Sequence, residues 1–283
     1  MRCQVLGILN VTPDSFSDGG RFLDLDAAVA RGRWLIDHGA DMVDVGGEST
    51  RPGASRVDEA EELRRVVPTV AELSAAGIAV SIDTMRARVA AAAIEAGAVL
   101  VNDVSGGLAD PEMLRMVGSA QVPCVLMHWR AHSASMQEFT TYTDVVEDVC
   151  TALSRRVDAA LTAGVSLDRL ILDPGLGFAK DSVHNWELLA HLPRLCSLGL
   201  PVLVGASRKR FLADALTYPG ADLSHPSGRD DASSAVAALA ASQGVWGVRV
   251  HDPLGAAAAV RVADLVGKAE RHPTLLPVEG VHA

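Results

Sequence analysis

The residues of this chain with the plainest chemical capacity stand where short apolar runs stop. Asn10 closes VLGILN, Asp83 closes IAVSID, Asn102 and Asp103 close VLVND, and Asp173 closes LILD. Ser207 closes PVLVGAS, and Arg249 and His251 close GVRVH. Two further runs, DMVDVGG and VPCVLMH, end at Gly47 with Glu48 and at His128. Asp83, Asn102, Asp173 and Lys209 together offer two carboxylates, an amide and an ammonium, a set that suits a flat heterocycle with adjacent N–H donors and ring acceptors. Paired carboxylates also suit general acid–base work. A lone strand-end Asp can equally be structural, bonded to nearby backbone.

The elements that must position these residues follow from the same runs. Each has strand length, and each is followed by a stretch with apolar spacing near the helical period. Helices are expected over 25–38, 58–76, 85–96, 111–119, 144–163, 182–192, 230–243 and 253–267. Several of these stretches stop at a glycine (Gly39, Gly77, Gly97, Gly164), the expected left-handed stop before the next strand. Eight strand–helix repeats without a Pro/Ser-rich linker predict one α/β domain over residues 1–283, a (β/α)8 TIM barrel. Such a barrel places its site at the carboxyl ends of the strands, so the polar endings converge.

Three connections break the rhythm. In the first loop, ILNVTPDSFSDGG, Asn10 ends a strand while Asp14 and Asp18 offer oxygen donors suited to a hard cation such as Mg2+, although Pro-Asp-Ser and Asp-Gly-Gly are good turn formers anyway. The second loop, DVGGESTRPG, carries Thr50 and Arg51, and an arginine there can grip a phosphate. Ser207, Arg249 and His251 form a second donor group after strands seven and eight, where these barrels often bind phosphate. Two donor groups suggest a substrate with more than one phosphate. Both long loops are lid candidates, and residues 218–229 read as a surface insert.

Composition excludes other classes. A net charge of −10 argues against nucleic acid, which needs clustered cations; the basic group Ser207-Arg208-Lys209-Arg210 is long enough only for a small anion. No apolar stretch approaches a membrane span, and no signal-peptide pattern opens the chain, so a cytoplasmic enzyme is expected. The four cysteines lack metal or CxxC spacing. His128 and His251 have no HExxH context for zinc, and DPGLGFAK is not a P-loop. The charged stretch Asp58–Arg65 reads as a solvated helix face.

Seven motifs in order, LGILNVTPDSFSDGG, GADMVDVGGESTRPG, SIDT, VNDVSGG, LDPGLGFAK, VGASRKR and VRVHD, closely resemble the dihydropteroate synthase family across nearly the whole chain. The resemblance implies condensation of 6-hydroxymethyl-7,8-dihydropterin pyrophosphate with para-aminobenzoate to give 7,8-dihydropteroate and pyrophosphate, with Mg2+ as cofactor. It implies a pterin pocket of Asp83, Asn102, Asp173 and Lys209, with Arg249 stacked on the pterin and helping to hold the pyrophosphate. Asn10, with His251, marks the pyrophosphate and Mg2+ end. Thr50, Arg51, Pro52, Phe178, Lys209 and Ser207 frame the para-aminobenzoate pocket, completed by Phe16 and Asp18, where sulfonamides compete. A homodimer through outer helices is also implied. Two related readings keep a pterin pocket: a methyltetrahydrofolate-binding domain of corrinoid methyltransferases, which has no need for the SRK and first-loop motifs, and a paralogue without synthase activity.

Overall fold

The computed structural model describes residues 2–12, 21–48, 56–132 and 136–271, with the backbone alone at 21–24 and 137. Eight strands appear there: β1 (Gln4–Asn10), β2 (Met42–Gly46), β3 (Val80–Asp83), β4 (Leu100–Asp103), β5 (Cys124–Met127), β6 (Leu170–Asp173), β7 (Leu203–Val204) and β8 (Gly247–Val250). They pair in parallel in the order β6-β5-β4-β3-β2-β1-β8-β7. A bridge between Leu172 and Val202 joins the two ends, reinforced by the Leu172 N–H donating to the Pro201 carbonyl at 2.8 Å. The barrel is thereby closed, as expected.

Strands buried on both faces must be apolar on both, which explains the near-continuous Val/Ile/Leu runs. One parity packs outward: Val5, Leu9, Val43, Val45, Val80, Ile82 and Val101 join the core beneath the helices. The other parity fills the barrel, where Leu6, Leu100, Val125, Ile171 and Leu203 pack together with Met42 and Trp246. Continuing that inward parity toward the carboxyl end brings polar groups into the cavity. Register makes this concrete, since Asn10 pairs with Gly46, Gly46 with Asp83, and Asp83 with Asn102. Three expected strand ends, Asn10, Asp83 and Asn102, thus share one row with Gly46. Asn102 and Asp103, adjacent in sequence, part company for the same reason.

The helices are α1 (Arg21–Asp37), α2 (Glu59–Ala75), α3 (Ala87–Glu95), α4 (Met113–Ala120), α5 (Val145–Thr162), α6 (Ser182–Ala190), α7 (Leu192–Cys196), α8 (Asp230–Ser242) and α9 (Pro253–Arg271). Between β6 and β7 two helices replace the single one expected. His191 ends α6 and begins α7, with Pro193 in the first turn of α7, where a residue without an N–H fits. Strand β7 is shorter than PVLVGAS suggests: Lys209 N–H turns back to the Ala206 carbonyl, and Arg208 has φ +59°. The insert at 218–229 is surface loop, exposed along nearly all its length.

Candidate active site

Three charged groups, from the paired strands β2 and β3 and from β8, meet in the barrel mouth. Arg249 Nε donates to Asp44 Oδ2 at 2.5 Å and Arg249 Nη2 to Asp83 Oδ2 at 2.6 Å. Asn102 Nδ2 donates to the same Asp44 oxygen at 3.0 Å. Burial alone would lower the guanidinium's pKa, but Asp44 and Asp83 more than offset it and raise it. Arg249 is therefore a fixed cation. Asp83 is raised by burial, which outweighs Arg249's attraction, with Asp44 and Glu62 adding repulsion.

Glycines open the space beside these groups. A Cβ at Gly205 would stand 3.8 Å from Asp173 Oδ2, 4.0 Å from Arg249 Cβ and 4.0 Å from Lys209 Nζ. The Asp173 carboxylate, the Lys209 ammonium and the base of the Arg249 side chain therefore border one clearing. A Cβ at Gly46 would stand 3.6 Å from Asp83 Oδ2 and 3.7 Å from Asn10 Oδ1, so a second clearing, at the end of β2, is edged by two oxygens. Asp173 Oδ1 accepts from Gly175 N–H at 2.7 Å. Burial raises Asp173, with Lys209 the largest opposing influence. Burial lowers Lys209 from 10.5 to about 8, opposed by Asp173.

Ser207 and His251 face each other, Oγ to Nδ1 at 3.1 Å, and His251 N–H donates to the same hydroxyl at 3.1 Å. The SRKR group divides. Arg208 is engaged with Asp230 at 2.7 and 2.8 Å and Arg210 is exposed, so Lys209 alone of the three cations reaches the cavity, donating to the Leu176 carbonyl with its Nζ 4.7 Å from the Phe178 ring centroid. Thr50, Arg51, Pro52, Phe16 and Asp18, with most of both long loops, lie outside the described residues.

Across residues 6–251 the chain matches the family profile described as pterin binding enzyme. A dihydropteroate synthase of Mycobacterium leprae is 55% identical over 92% of this chain and 92% of its own length. The chain belongs to the dihydropteroate synthase family. A solved Xanthomonas albilineans dihydropteroate synthase with 4-aminobenzoic acid superposes with a TM-score of 0.86 at 46% identity, covering 94% of this chain and 93% of that one. A Yersinia pestis dihydropteroate synthase in a sulfonamide drug complex has a TM-score of 0.86 at 40% identity, with 95% of each chain covered.

Within this dihydropteroate synthase fold, three groups escaped sequence reasoning. Asp44 is fully buried and holds both Arg249 and Asn102, yet it precedes its strand's end by two residues and reads as interior. Lys180 is buried, its Nζ 2.9 Å from His128 Nδ1, 3.0 Å from the Gly175 carbonyl and 3.1 Å from the Phe178 carbonyl. That contact pins the turn carrying Phe178. Burial, then Lys180 and Arg130, lower His128 to about 2, leaving a neutral ring that accepts at Nδ1. His128 thus braces the β6–α6 loop; Tyr142 adds a hydrogen bond to the Ala179 carbonyl at 2.9 Å, and Arg130 lies over Tyr142 at 3.7 Å.

The third is a charge cluster at the feet of the second loop. Arg86 reaches Glu48 at 2.9 Å, Glu62 more closely, and the Val57 carbonyl at 2.5 Å; Arg56 also holds Glu48 at 3.1 Å. Glu62 is 1% exposed, which corrects the expectation that the whole stretch 58–65 is a solvated face. Charge density in the sequence concealed a buried member.

Proposed function

We propose that the protein condenses 6-hydroxymethyl-7,8-dihydropterin pyrophosphate with para-aminobenzoate, releasing pyrophosphate and forming 7,8-dihydropteroate. The observation that carries this reading is that Asp173 and Lys209 border one clearing with Arg249, whose guanidinium is bound to Asp83 and, through Asp44, linked to Asn102. A carboxylate with one oxygen tied to Gly175 N–H and the other facing the clearing suits adjacent N–H and amino donors of a pterin. Lys209 and Asn102 supply complementary ring contacts, and Arg249 presents a planar cation to the ring face.

The chemistry asks little of general bases. As the C–O bond to pyrophosphate breaks, its electron pair leaves with the pyrophosphate and the pterin methylene becomes a conjugated cation. Arg249 and His251 meet the departing negative charge. Asp83 and Asp173 hold the ring so that the cationic carbon faces the second substrate. The aniline nitrogen of para-aminobenzoate attacks and then loses a proton. Phe178 and Ser207, together with Thr50, Arg51, Pro52, Phe16 and Asp18, frame that second pocket, and sulfonamides compete there. Closing the first two loops excludes water that would otherwise capture the cation.

Asn10 is the residue assigned to Mg2+. Its amide oxygen beside Asp83 at the Gly46 clearing is a hard donor fitting a cation that keeps most of its waters. When bound, the metal supplies countercharge for pyrophosphate. The whole chain acts as one domain in the cytoplasm. It pairs as a homodimer, a reading supported by Leu239, Leu254, Val262, Leu265 and Val266, which expose apolar side chains on α8 and α9. Among the described residues no helix is long and apolar enough to cross a membrane.

The test is pyrophosphate release by the purified protein with pterin pyrophosphate and Mg2+, with and without para-aminobenzoate, and with product mass recorded. Dihydropteroate formed only with all components is the expected result. Pterin binding without turnover would overturn the assignment.

A further inference from the structure

Asp44 is costly where it stands. Its side chain is wholly buried, one oxygen accepts from both Asn102 and Arg249, and the other has no hydrogen-bond partner among the described residues. Ser81, its register partner on β3, also leaves its buried hydroxyl unpartnered. A buried carboxylate in such surroundings is weak support for stability, because desolvation opposes the ion-pair gain. What it holds explains its place better.

The carboxylate is an acceptor only, which fixes the polarity of both neighbours. Asn102 must turn its amide N–H2 toward Asp44, so its carbonyl oxygen is directed elsewhere as an acceptor. Arg249 must turn its Nε edge toward Asp44 while Nη2 is taken by Asp83, leaving Nη1, which makes no hydrogen bond among the described residues, and the guanidinium face for a ligand. Strand order β4-β3-β2-β1-β8 puts Asp44 midway between the two strands that it ties together.

We infer that Asp44 is a positioning residue that sets the donor and acceptor pattern of the pterin pocket by orienting Asn102 and Arg249 together. The inference rests on the reading of this site as a pterin pocket. An Asn in its place keeps the shape but loses the charge, so its single acceptor oxygen, left where Oδ2 stands, holds Arg249 and Asn102 more weakly than a carboxylate does.

Double-mutant cycles test it. The affinity for 6-hydroxymethylpterin pyrophosphate is measured by calorimetry and kcat/KM by pyrophosphate release. The chains compared are the parent, Asp44→Asn, Arg249→Met, Asn102→Ala and the two pairs that include Asp44→Asn; Tm is recorded for each. The expected result is a roughly 100-fold loss of kcat/KM for Asp44→Asn that shrinks at least tenfold in each paired background, because the residue it orients is gone. Equal losses in all backgrounds, the signature of a merely structural role, would overturn the inference. Where Asp44→Asn alone does not fold, the Arg249→Met chain, relieved of its buried cation, hosts the change: pterin affinity within tenfold of Arg249→Met supports the inference, and a larger drop overturns it. Single substitutions at 249 and 102 that leave pterin affinity untouched would overturn both the inference and the pocket assignment, whereas additive losses would sink the inference alone.

Discussion

Arg249 and Asp83 face each other across the barrel mouth, with Nη2 2.6 Å from Oδ2, although 166 residues separate them. With Asp44 at Nε, the guanidinium is held at two of its three nitrogens before any ligand arrives. Such preorganisation means that its charge needs no reorientation when pyrophosphate departs.

Arg249→Ala is therefore expected to weaken pyrophosphate-bearing pterin more than the unphosphorylated pterin alcohol. A charge-assisted contact contributes about 1.5–3 kcal/mol, or roughly 10- to 100-fold in affinity, and the alcohol has no such contact to lose. Calorimetry with both ligands makes the comparison; equal losses would sink the pyrophosphate assignment.

Asp173→Asn is expected to cost pterin binding heavily. Oδ1 already accepts from Gly175 N–H, so an Asn either keeps its oxygen there and turns an N–H2 toward the pterin's own donors, or surrenders the turn. Loss of about 2 kcal/mol or more in pterin affinity follows from leaving buried donors unpaired. Unchanged affinity would refute the role.

How much of this was legible in sequence depends on parity and neighbourhood. Asp83, Asn102 and Asp173 stand at strand ends, where the turn from apolar to polar marks them. Asp44 sits within VDVGG, where only the register of β2 against β1 and β3 reveals that it faces inward. Glu62 and Lys180 are the reverse case. Each looks like ordinary surface charge, and each is buried because partners far along the chain, Arg86 and His128, take up its hydrogen bonds. The β6–β7 connection resisted periodicity because its second helix, Leu192–Cys196, is five residues long, too short to show a helical period.

Activity should depend on pH through Lys209. Burial lowers its pKa to about 8, so it is an ammonium donor below that value and neutral above it. The free-enzyme profile, kcat/KM against pH, should fall as pH rises past about 8. Asp83, raised above the ordinary carboxylate range, puts the acid limb higher than an exposed Asp would, because protonation removes the acceptor that steadies Arg249. Lys209→Arg, permanently charged, should lose the alkaline limb even where overall activity is low. A limb unchanged in that variant would assign it to another group.

The clamp at the second loop gives the last expectation. Arg86 is bound to Glu48 before the loop and to the Val57 carbonyl after it, while also neutralising the buried Glu62. Removing one partner of a buried ion pair strands the other, at a typical cost of about 3–5 kcal/mol. Arg86→Met should destabilise at the lower end of that range, since Thr84 Oγ1 still donates to Glu62 at 2.6 Å. Pairing it with Glu62→Gln removes the stranded charge and should recover part of the loss in Tm. Recovery of stability without recovery of the KM for para-aminobenzoate separates the two duties of Arg86, because in the double variant the Val57 carbonyl loses its arginine and Glu48 keeps only Arg56. If Tm and KM return together, the arginine acts on the loop only through the stability of the fold.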